Sequence, residues 1–202
     1  MTEAPSLSDA TNASSVPATE RDRLGALLAE RSFRTGDFTL ASGRKSTYYV
    51  DCRLTTMHAE GQVLIGPVAL DALDAAGIEP ERIGGLTMGA DPIAYAVAGE
   101  SFRRGRPIHA FSVRKEAKEH GRGRRIEGCF DSGALVVVVE DVITTGGSAL
   151  RACEAVHEAD GEVLAVLALV DRCEGGREAI EDAGYTVISL FTVQDLSDYA
   201  TD

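Results

Sequence analysis

Residues 134–148, with the sequence ALVVVVEDVITTGGS, decide the fold of this 202-residue chain. The stretch opens with six apolar residues, four of them β-branched, which predicts a strand buried on both faces of a parallel sheet. Two carboxylates, Glu140 and Asp141, follow at the carboxyl end of this strand. After Val142 and Ile143 come five small hydroxyl or glycine residues, and a helical pattern covers residues 149–156. This order of strand, acidic pair, small loop and helix predicts an anion-binding site.

The loop offers several hydrogen-bond donors to an anion. Gly146 and Gly147 let the chain curl so that successive N–H groups point inward, and the positive end of the helix dipole lies beyond them. Thr144, Thr145 and Ser148 add hydroxyl groups. The acidic pair would repel a phosphate, but it suits a neighbouring polyol such as ribose, whose hydroxyls donate to carboxylates. The alternative, an ordinary strand-to-helix turn with a serine N-cap, leaves the acidic pair unexplained.

Two common nucleotide-binding motifs are absent from this stretch. It has neither the Gly-Lys-Ser/Thr of a Walker A loop nor the Gly-x-Gly-x-x-Gly of a dinucleotide fold. It resembles instead the 5-phosphoribosyl 1-diphosphate (PRPP) motif of type I phosphoribosyltransferases. The resemblance implies that Glu140 and Asp141 hold the ribose 2′- and 3′-hydroxyls of PRPP. It also implies that the next seven residues wrap the 5′-phosphate, namely Val142, Ile143, Thr144, Thr145, Gly146, Gly147 and Ser148.

Strands and helices alternate along the rest of the chain. A capping box at Thr19 and Asp22 predicts a helix to about Arg31, and Asp91 and Pro92 predict a cap and first turn for a helix to about residue 102. Other helices are predicted over 58–76, 149–156 and 176–183, and strands over 33–40, 46–51, 83–86, 108–113, 134–139, 162–170 and 185–191. The alternation predicts an α/β fold with a doubly wound parallel sheet, whose ligands bind beyond the carboxyl ends of the strands.

A second candidate region is the polar segment 114–128, RKEAKEHGRGRRIEG, which is rich in cations and has few apolar anchors. It is either a solvated connection or a mobile lid for a polyanion. Its first part resembles the catalytic loop of the orotate phosphoribosyltransferases, and residues 38–46, FTLASGRKS, resemble the N-terminal hood of that family. We therefore expect a disordered tail over 1–18 and one domain over 19–202, with a small hood at about 33–51 and the lid at about 114–128.

The resemblance implies how the diphosphate of PRPP is held. Arg114, Lys115, Lys118 and His120 contact it, and Lys118 and His120 do so from a lid that reaches into the partner subunit of a homodimer. Catalysis is then expected from Lys118, His120 and Asp141. Mg²⁺ is expected to be bound mainly by diphosphate and ribose oxygens and water, with no metal site built from protein side chains.

The orotate site is implied to include Thr144 and Arg172. The planar guanidinium of Arg172 matches a carboxylate, whereas a local ion pair with Asp171 is the alternative role. Tyr48 and Tyr49 are candidates for stacking on the pyrimidine, and a core position for one of them is equally compatible with the sequence.

The resemblance to the bacterial members of that family fails at two positions. It implies a lysine where Ala41 stands and another near Gly89, so a cation for diphosphate or orotate is expected to be missing at both. The expected reaction is the transfer of a phosphoribosyl group from PRPP to orotate. The alternatives are a phosphoribosyltransferase for a purine base, a PRPP-sensing regulator and a non-catalytic homologue. The lid sequence argues against a purine phosphoribosyltransferase and against a non-catalytic homologue. The short polar tail argues against the regulator.

Composition limits the possible partners and compartment. The net charge of −12 and the pI near 4.8 argue against a nucleic-acid surface. Seventeen arginines against three lysines in so acidic a chain suggest adaptation to high salt. The four cysteines are widely spaced and are expected to be small buried residues in a reducing cytosol. No stretch has the length and apolarity of a membrane span or a signal peptide, so a cytoplasmic enzyme with no membrane partner is expected.

Overall fold

The computed structural model describes residues 18–39, 43, 45–116 and 125–200. Lys118, His120 and Ala41 lie outside these ranges, as does all of the expected N-terminal tail except Ala18. The described elements, in chain order, are α1 (Glu20–Ser32), β1 (Phe33–Thr39), β2 (Lys45–Val50), α2 (Arg53–Thr56), α3 (Ala59–Ala75), β3 (Arg82–Leu86), α4 (Ala90–Arg103), β4 (His109–Val113), β5 (Ile126–Gly128), β6 (Leu135–Ile143), α5 (Gly147–Glu158), β7 (Glu162–Asp171), α6 (Gly176–Asp182), β8 (Val187–Thr192) and α7 (Val193–Tyr199).

Six strands form the main sheet in the order β5-β4-β3-β6-β7-β8. All neighbouring pairs are parallel except β5, which runs antiparallel to β4 at the edge. Val136 and Val138 of β6 belong to the core beneath α5 and α6, while Val137 and Val139 belong to the core shared with α1, α3, α4 and α7. All four valines are 0 % exposed. The prediction of a doubly wound α/β fold is confirmed, because helices cover both faces of the strand that the apolar run forms.

The two predicted N-terminal strands pair with each other rather than with the main sheet. β1 and β2 form an antiparallel hairpin in which Phe33 faces Val50, with a bulge between Thr35 and Phe38. The preceding helix α1 starts at the predicted capping box, since the Thr19 hydroxyl accepts from the Asp22 N–H at 3.1 Å. The hairpin therefore carries the end of β2 to the carboxyl edge of the main sheet, where Tyr48 contacts the loop after β7.

The central strand is longer than predicted. β6 was expected to end at Val139, but it continues through Glu140 and Asp141 to Ile143 and pairs with β7 as far as Asp171. Pairing to β7 supplies backbone hydrogen bonds that outweigh the low strand propensity of carboxylate residues. The acidic pair therefore lies on a strand rather than in a loop.

Two other predictions need correction. The helix α4 begins at Ala90 after Gly89, so Asp91 lies in its first turn and is not the N-cap. The range expected for the lid, 114–128, includes the strand β5, whose Ile126 pairs with Val113, so a lid can extend at most to about residue 125. The short helices α2 and α7 were not predicted. The remaining predicted helices and strands are confirmed, with small differences at their ends.

The cysteines follow the prediction only in part. All four are free, which agrees with the absence of a disulfide framework. Cys52 and Cys153 are buried, whereas Cys129 and Cys173 are exposed, contrary to the expectation that all are core residues. Among the described residues, no helix has the length and apolarity needed to cross a membrane.

Candidate active site

The turn between β6 and α5 forms a narrow cradle. Gly146, immediately before α5, has a φ of +78°, a left-handed conformation that glycine adopts without strain. A Cβ atom there would lie 2.7 Å from the carbonyl oxygen of Gly176, so the turn also needs glycine for space. The cradle encloses about 30 Å³ and is lined by Glu140 and residues 142–148. Its position at the N-terminus of α5 suits a single phosphate group.

The acidic pair faces two different spaces. Successive residues of a strand point to opposite faces, and Glu140 lines the cradle while Asp141 lines a larger pocket. Oε2 of Glu140 is buried and has no hydrogen-bond partner among the described residues. Burial, followed by the charge of Asp141, raises the pKa of the Glu140 carboxyl to about 8. A ligand hydroxyl that donates a hydrogen bond would satisfy this buried oxygen.

The larger pocket has a volume of about 250 Å³ and is built by four separate segments. Residues 49–53, at the end of β2 and the start of α2, form one wall, and Met88 and Gly89 after β3 form another. Asp141, Val142, Thr144 and Arg172 complete the lining. A Cβ atom on Gly89 would lie 2.6 Å from Oδ1 of Asp141, so this loop packs directly against the carboxylate.

The loop after β3 is held in place by one carboxylate. Asp91 accepts a hydrogen bond from the Thr87 hydroxyl and another from the Ser112 hydroxyl, both at 2.6 Å. Thr87 follows β3, and Ser112 lies in β4 just before Arg114. Asp91 therefore links the loop that contacts Asp141 to the strand that leads into segment 114–125.

Arg172 lies at the carboxyl end of β7 and is only 7 % exposed. Its Nη2 atom is 2.8 Å from Oε1 of Glu174, and its guanidinium lies 4.9 Å from the centre of the Tyr48 ring. The Tyr48 hydroxyl donates to the same Glu174 oxygen at 2.8 Å. Nε of Arg172 is buried and makes no hydrogen bond to any described residue, whereas Nη2 is held by the Glu174 carboxylate. Since a buried guanidinium normally has its donors satisfied, the Nε donor is available to a carboxylate ligand.

The alternative ion pair between Arg172 and Asp171 is not formed. Asp171 instead accepts from Nε of Arg177 at 3.0 Å and from the Cys173 N–H at 2.8 Å. These bonds hold the turn at Cys173, whose φ is +55°, and so fix the direction in which Arg172 leaves the strand. Tyr48 packs against the main core, whereas Tyr49 is 40 % exposed and lines the pocket. Of the two candidates for stacking, Tyr49 is therefore the one in the pocket.

Two described cations of the lid sequence, Arg114 and Lys115, lie at the same edge. Arg114 and Lys115 follow β4 and are exposed, and neither lines the cradle or the larger pocket. The Arg114 N–H donates to the Arg125 carbonyl at 2.7 Å, so the two ends of the intervening segment are joined. Nη1 of Arg125 also lies 3.5 Å from Glu154 and 3.4 Å from Glu158, both on α5.

Some residues of this edge were not predicted from the sequence. Asp51, Cys52, Arg53 and Met88 line the larger pocket without belonging to a recognisable motif. Burial raises the pKa of the Cys52 thiol well above its usual value, so this cysteine is a protonated wall residue. Their only sequence signal is indirect, because they follow a short strand or lie at the carboxyl end of a parallel one.

Comparison with solved structures gives the class of the protein. Adenine phosphoribosyltransferase from Leishmania tarentolae, at 17% identity, covers 88% of this chain and 90% of its own with a TM-score of 0.60, which shows a shared fold. The orotate phosphoribosyltransferase of Mycobacterium tuberculosis H37Rv is 45% identical, covers 88% of this chain and 99% of its own, and has a TM-score of 0.77. The fold is that of the type I phosphoribosyltransferases.

Sequence relatives narrow the class to one family. Orotate phosphoribosyltransferase from Sorangium cellulosum is 47% identical over 186 residues, which cover 90% of this chain and 95% of the relative. The enzyme of that name from Aquifex aeolicus is 47% identical over 180 residues, covering 88% and 97%. No protein-family model matches the chain. At this identity and coverage the chain belongs to the orotate phosphoribosyltransferase family.

Proposed function

We propose that this protein transfers the 5-phosphoribosyl group of PRPP to orotate, which gives orotidine 5′-monophosphate and diphosphate in pyrimidine synthesis. The observation that carries the proposal is the juxtaposition of three features at one edge of the sheet in a member of this family. They are the phosphate cradle after β6, the acidic pair and the nearly buried Arg172. A neighbour in the family, the M. tuberculosis enzyme at 40% identity, has been solved in complex with PRPP.

Each part of the two substrates has a candidate binding group. The 5′-phosphate accepts hydrogen bonds from the N–H and hydroxyl groups of Thr144 to Ser148, and the ribose hydroxyls donate to Glu140 and Asp141. The carboxylate of orotate takes the free Nε donor of Arg172, with Thr144 lining the same pocket. Tyr49, which belongs to the hood at about 33–51, lines the same pocket and is our candidate for stacking on the pyrimidine.

The chemistry follows from charge that develops at the leaving group. Breaking the bond between C1 and the diphosphate leaves an oxocarbenium-like ribose and adds negative charge to the diphosphate. Arg114, Lys115, Lys118 and His120 are the cations that we assign to this charge, with Lys118 and His120 as catalytic residues along with Asp141. Cations that are positioned before the reaction stabilise the transition state without reorganising in it. A lid over residues 114–125 would exclude water, which otherwise hydrolyses PRPP.

Mg²⁺ is the cofactor that we expect with PRPP. Within the described ranges, no group of three or more His, Cys, Asp or Glu is placed to hold a metal ion. We therefore assign the ion to diphosphate and ribose oxygens and to water, with the pocket-facing carboxylate of Asp141 as the protein group within reach. When bound, Mg²⁺ supplies positive charge to the diphosphate.

A homodimer that shares its lids completes the proposal. Four large apolar side chains on α2, α3, α4 and the turn after α2 are exposed, which suits a surface between two copies: Leu54 (47 %), Met57 (52 %), Val63 (58 %) and Tyr95 (55 %). If the lid of one subunit serves the other, chains carrying Asp141→Asn and Lys118→Ala should complement each other in a mixed dimer. Random assembly should then recover up to about a quarter of wild-type activity. Absence of rescue in mixed dimers identified by mass would refute the shared lid.

One assay tests the reaction itself. Loss of orotate absorbance should require both PRPP and Mg²⁺, and adenine or guanine should not replace orotate. Running the assay in low and in molar KCl tests the salt adaptation that the acidic composition suggests, with activity retained or increased at high salt as the expected result. PRPP binding without turnover of any base would favour the sensor, and turnover of a purine alone would favour the other transferase class.

A further inference from the structure

Arg53 is a cation of the pocket to which the proposed reaction assigns no role. It is the first residue of α2, and its side chain lines the 250 Å³ pocket together with Asp141, Gly89 and Arg172. About half of the side chain, 49 %, is exposed, so it can meet a ligand that enters from solvent. Its N-terminal neighbour Cys52 is fully buried, which fixes the backbone from which it projects.

Asp51 orients the Arg53 side chain. Nε of Arg53 donates to Oδ1 of Asp51 and Nη2 donates to Oδ2, both at 2.8 Å. The same carboxylate accepts from the Arg53 backbone N–H at 3.2 Å. This two-pronged pair leaves Nη1 without a hydrogen bond to any described residue, so both of its N–H groups are free for a ligand. A guanidinium held in this way loses little further freedom on binding.

Two anionic groups enter the pocket, the carboxylate of orotate and the diphosphate of PRPP, and the strand order provides a different side of the pocket for each. β6, which carries Asp141, lies between β3 and β7. Arg172 follows β7, whereas Met88 and Gly89 follow β3 on the other side of Asp141. In a displacement at C1, the entering nitrogen and the leaving oxygen lie on opposite sides of the ribose carbon. If Arg172 takes the orotate carboxylate, the diphosphate therefore faces the side of Met88 and Gly89.

We propose that Arg53 binds the diphosphate of PRPP from the hood side of the pocket. This inference rests on the proposed function. It is supported by the separate pairing of the two pocket cations, because Arg172 is held by Glu174 while Arg53 is held by Asp51 and also feels the charge of Asp141. Asp51 and Asp141 would repel a diphosphate, and an added cation on their wall offsets this repulsion. Arg53 thus discriminates PRPP from a ligand that has the phosphoribosyl group alone.

Calorimetry with three probes tests the assignment. With Mg²⁺ present, Arg53→Gln should lower the affinity for PRPP and for inorganic diphosphate by roughly 10- to 100-fold, the range expected for a charged hydrogen bond. Orotidine 5′-monophosphate, which has no diphosphate, should bind within about twofold of wild type. Arg172→Gln should give the opposite pattern, with the monophosphate weakened and inorganic diphosphate unchanged. Arg23→Gln removes an equally exposed, ion-paired arginine far from the pocket and should change none of the three.

Each result has one meaning. Unchanged PRPP and diphosphate affinity in Arg53→Gln would overturn the inference, and so would an equal loss for the monophosphate, which would indicate a distorted hood. If Arg53→Gln does not fold, Arg53→Lys keeps the charge without the two-pronged pair. Its PRPP affinity should fall below wild type while the monophosphate is unaffected, and the reverse pattern would overturn the inference. A wild-type protein that binds neither PRPP nor the monophosphate would refute the proposed reaction itself.

Discussion

Replacing Glu140 with glutamine should stabilise the protein, and the gain should grow with pH. Glu140 is partly buried in β6, with one oxygen lacking a partner among the described residues. Burial and the adjacent Asp141 raise the pKa of its carboxyl from 4.5 to about 8. The folded chain therefore binds this proton more tightly than the unfolded chain. Ionising this carboxyl therefore destabilises the folded chain, whereas an amide of the same shape does not ionise.

The sign and the pH window follow from proton linkage. Below pH 4.5 the carboxyl is protonated in both states and contributes nothing. Between about 4.5 and about 8 only the folded chain holds the proton, so the free energy of unfolding falls as pH rises, and above about 8 the loss is complete. At 1.36 kcal/mol per pKa unit the limit is roughly 4–5 kcal/mol. Because the side chain is not fully removed from water, we expect about 2–3 kcal/mol.

Urea unfolding near pH 5 and near pH 8.5 measures this difference. Wild type and Glu140→Gln should be similar in stability at the lower pH, and the variant should be more stable by about 2–3 kcal/mol at the higher one. Glu162→Gln, which alters an exposed carboxylate at the start of β7, is the control and should follow wild type at both values. Parallel loss of stability in wild type and Glu140→Gln would show that Glu140 is not held protonated, and the reasoning from its burial would be wrong. The variant should also bind PRPP more weakly, since an NH2 group that cannot accept a hydrogen bond replaces one of the two oxygens offered to the ribose hydroxyls.

Three further outcomes are expected. Gly89→Ala places a methyl group 2.6 Å from the carboxylate of Asp141, so the KM for PRPP should rise about tenfold in steady-state assays, and an unchanged KM would mean that the loop moves freely. Asp91→Ala removes the acceptor for two hydroxyl groups and should lower the free energy of unfolding by about 1–3 kcal/mol in urea titrations, together with a higher KM for PRPP; a loss of stability with normal kinetics would limit Asp91 to a structural role. Lys118→Ala should lower kcat by the equivalent of roughly 2–4 kcal/mol with little change in KM, and normal turnover would refute its assignment to the lid.

The sequence predicted the fold well because the signals were local. A run of apolar β-branched residues between turn signals predicts a strand, and the capping box at Thr19 predicts where α1 begins. The end of β6 was placed too early because the pairing of Glu140 with Ala168 is set by a strand some thirty residues later. No local pattern at residues 140–143 reports that partner. The antiparallel strand β5 was missed for the same reason, since its three residues are ordered by β4.

The candidate site was predictable where its residues lie in one continuous stretch. The acidic pair lies near the end of β6 and the turn of the cradle follows it, and Arg172 follows β7 at the same edge. The partners of Arg172 could not be read from the sequence, since Tyr48 comes from a hairpin more than a hundred residues earlier. The separation of Asp171 from Arg172 also depends on Arg177, which reaches back from α6. Arg53 belongs to no recognisable motif, so its place in the site is seen only from the pocket that it lines.

The glycine contact behind the cradle has a consequence for engineering a new base specificity. A Cβ atom on Gly176 would lie 2.4 Å from the carbonyl oxygen of Thr144 and 2.8 Å from the N–H nitrogen of Gly146. The segment that follows Arg172 is therefore pressed backbone to backbone against the turn that surrounds the phosphate, with no side chain between them to absorb a change. Residues 172–176 can be replaced by those of an enzyme that uses another nucleobase only if position 176 remains glycine. Any other residue at position 176 displaces the turn, and the variant then binds the phosphoribosyl group more weakly, whichever nucleobase it uses.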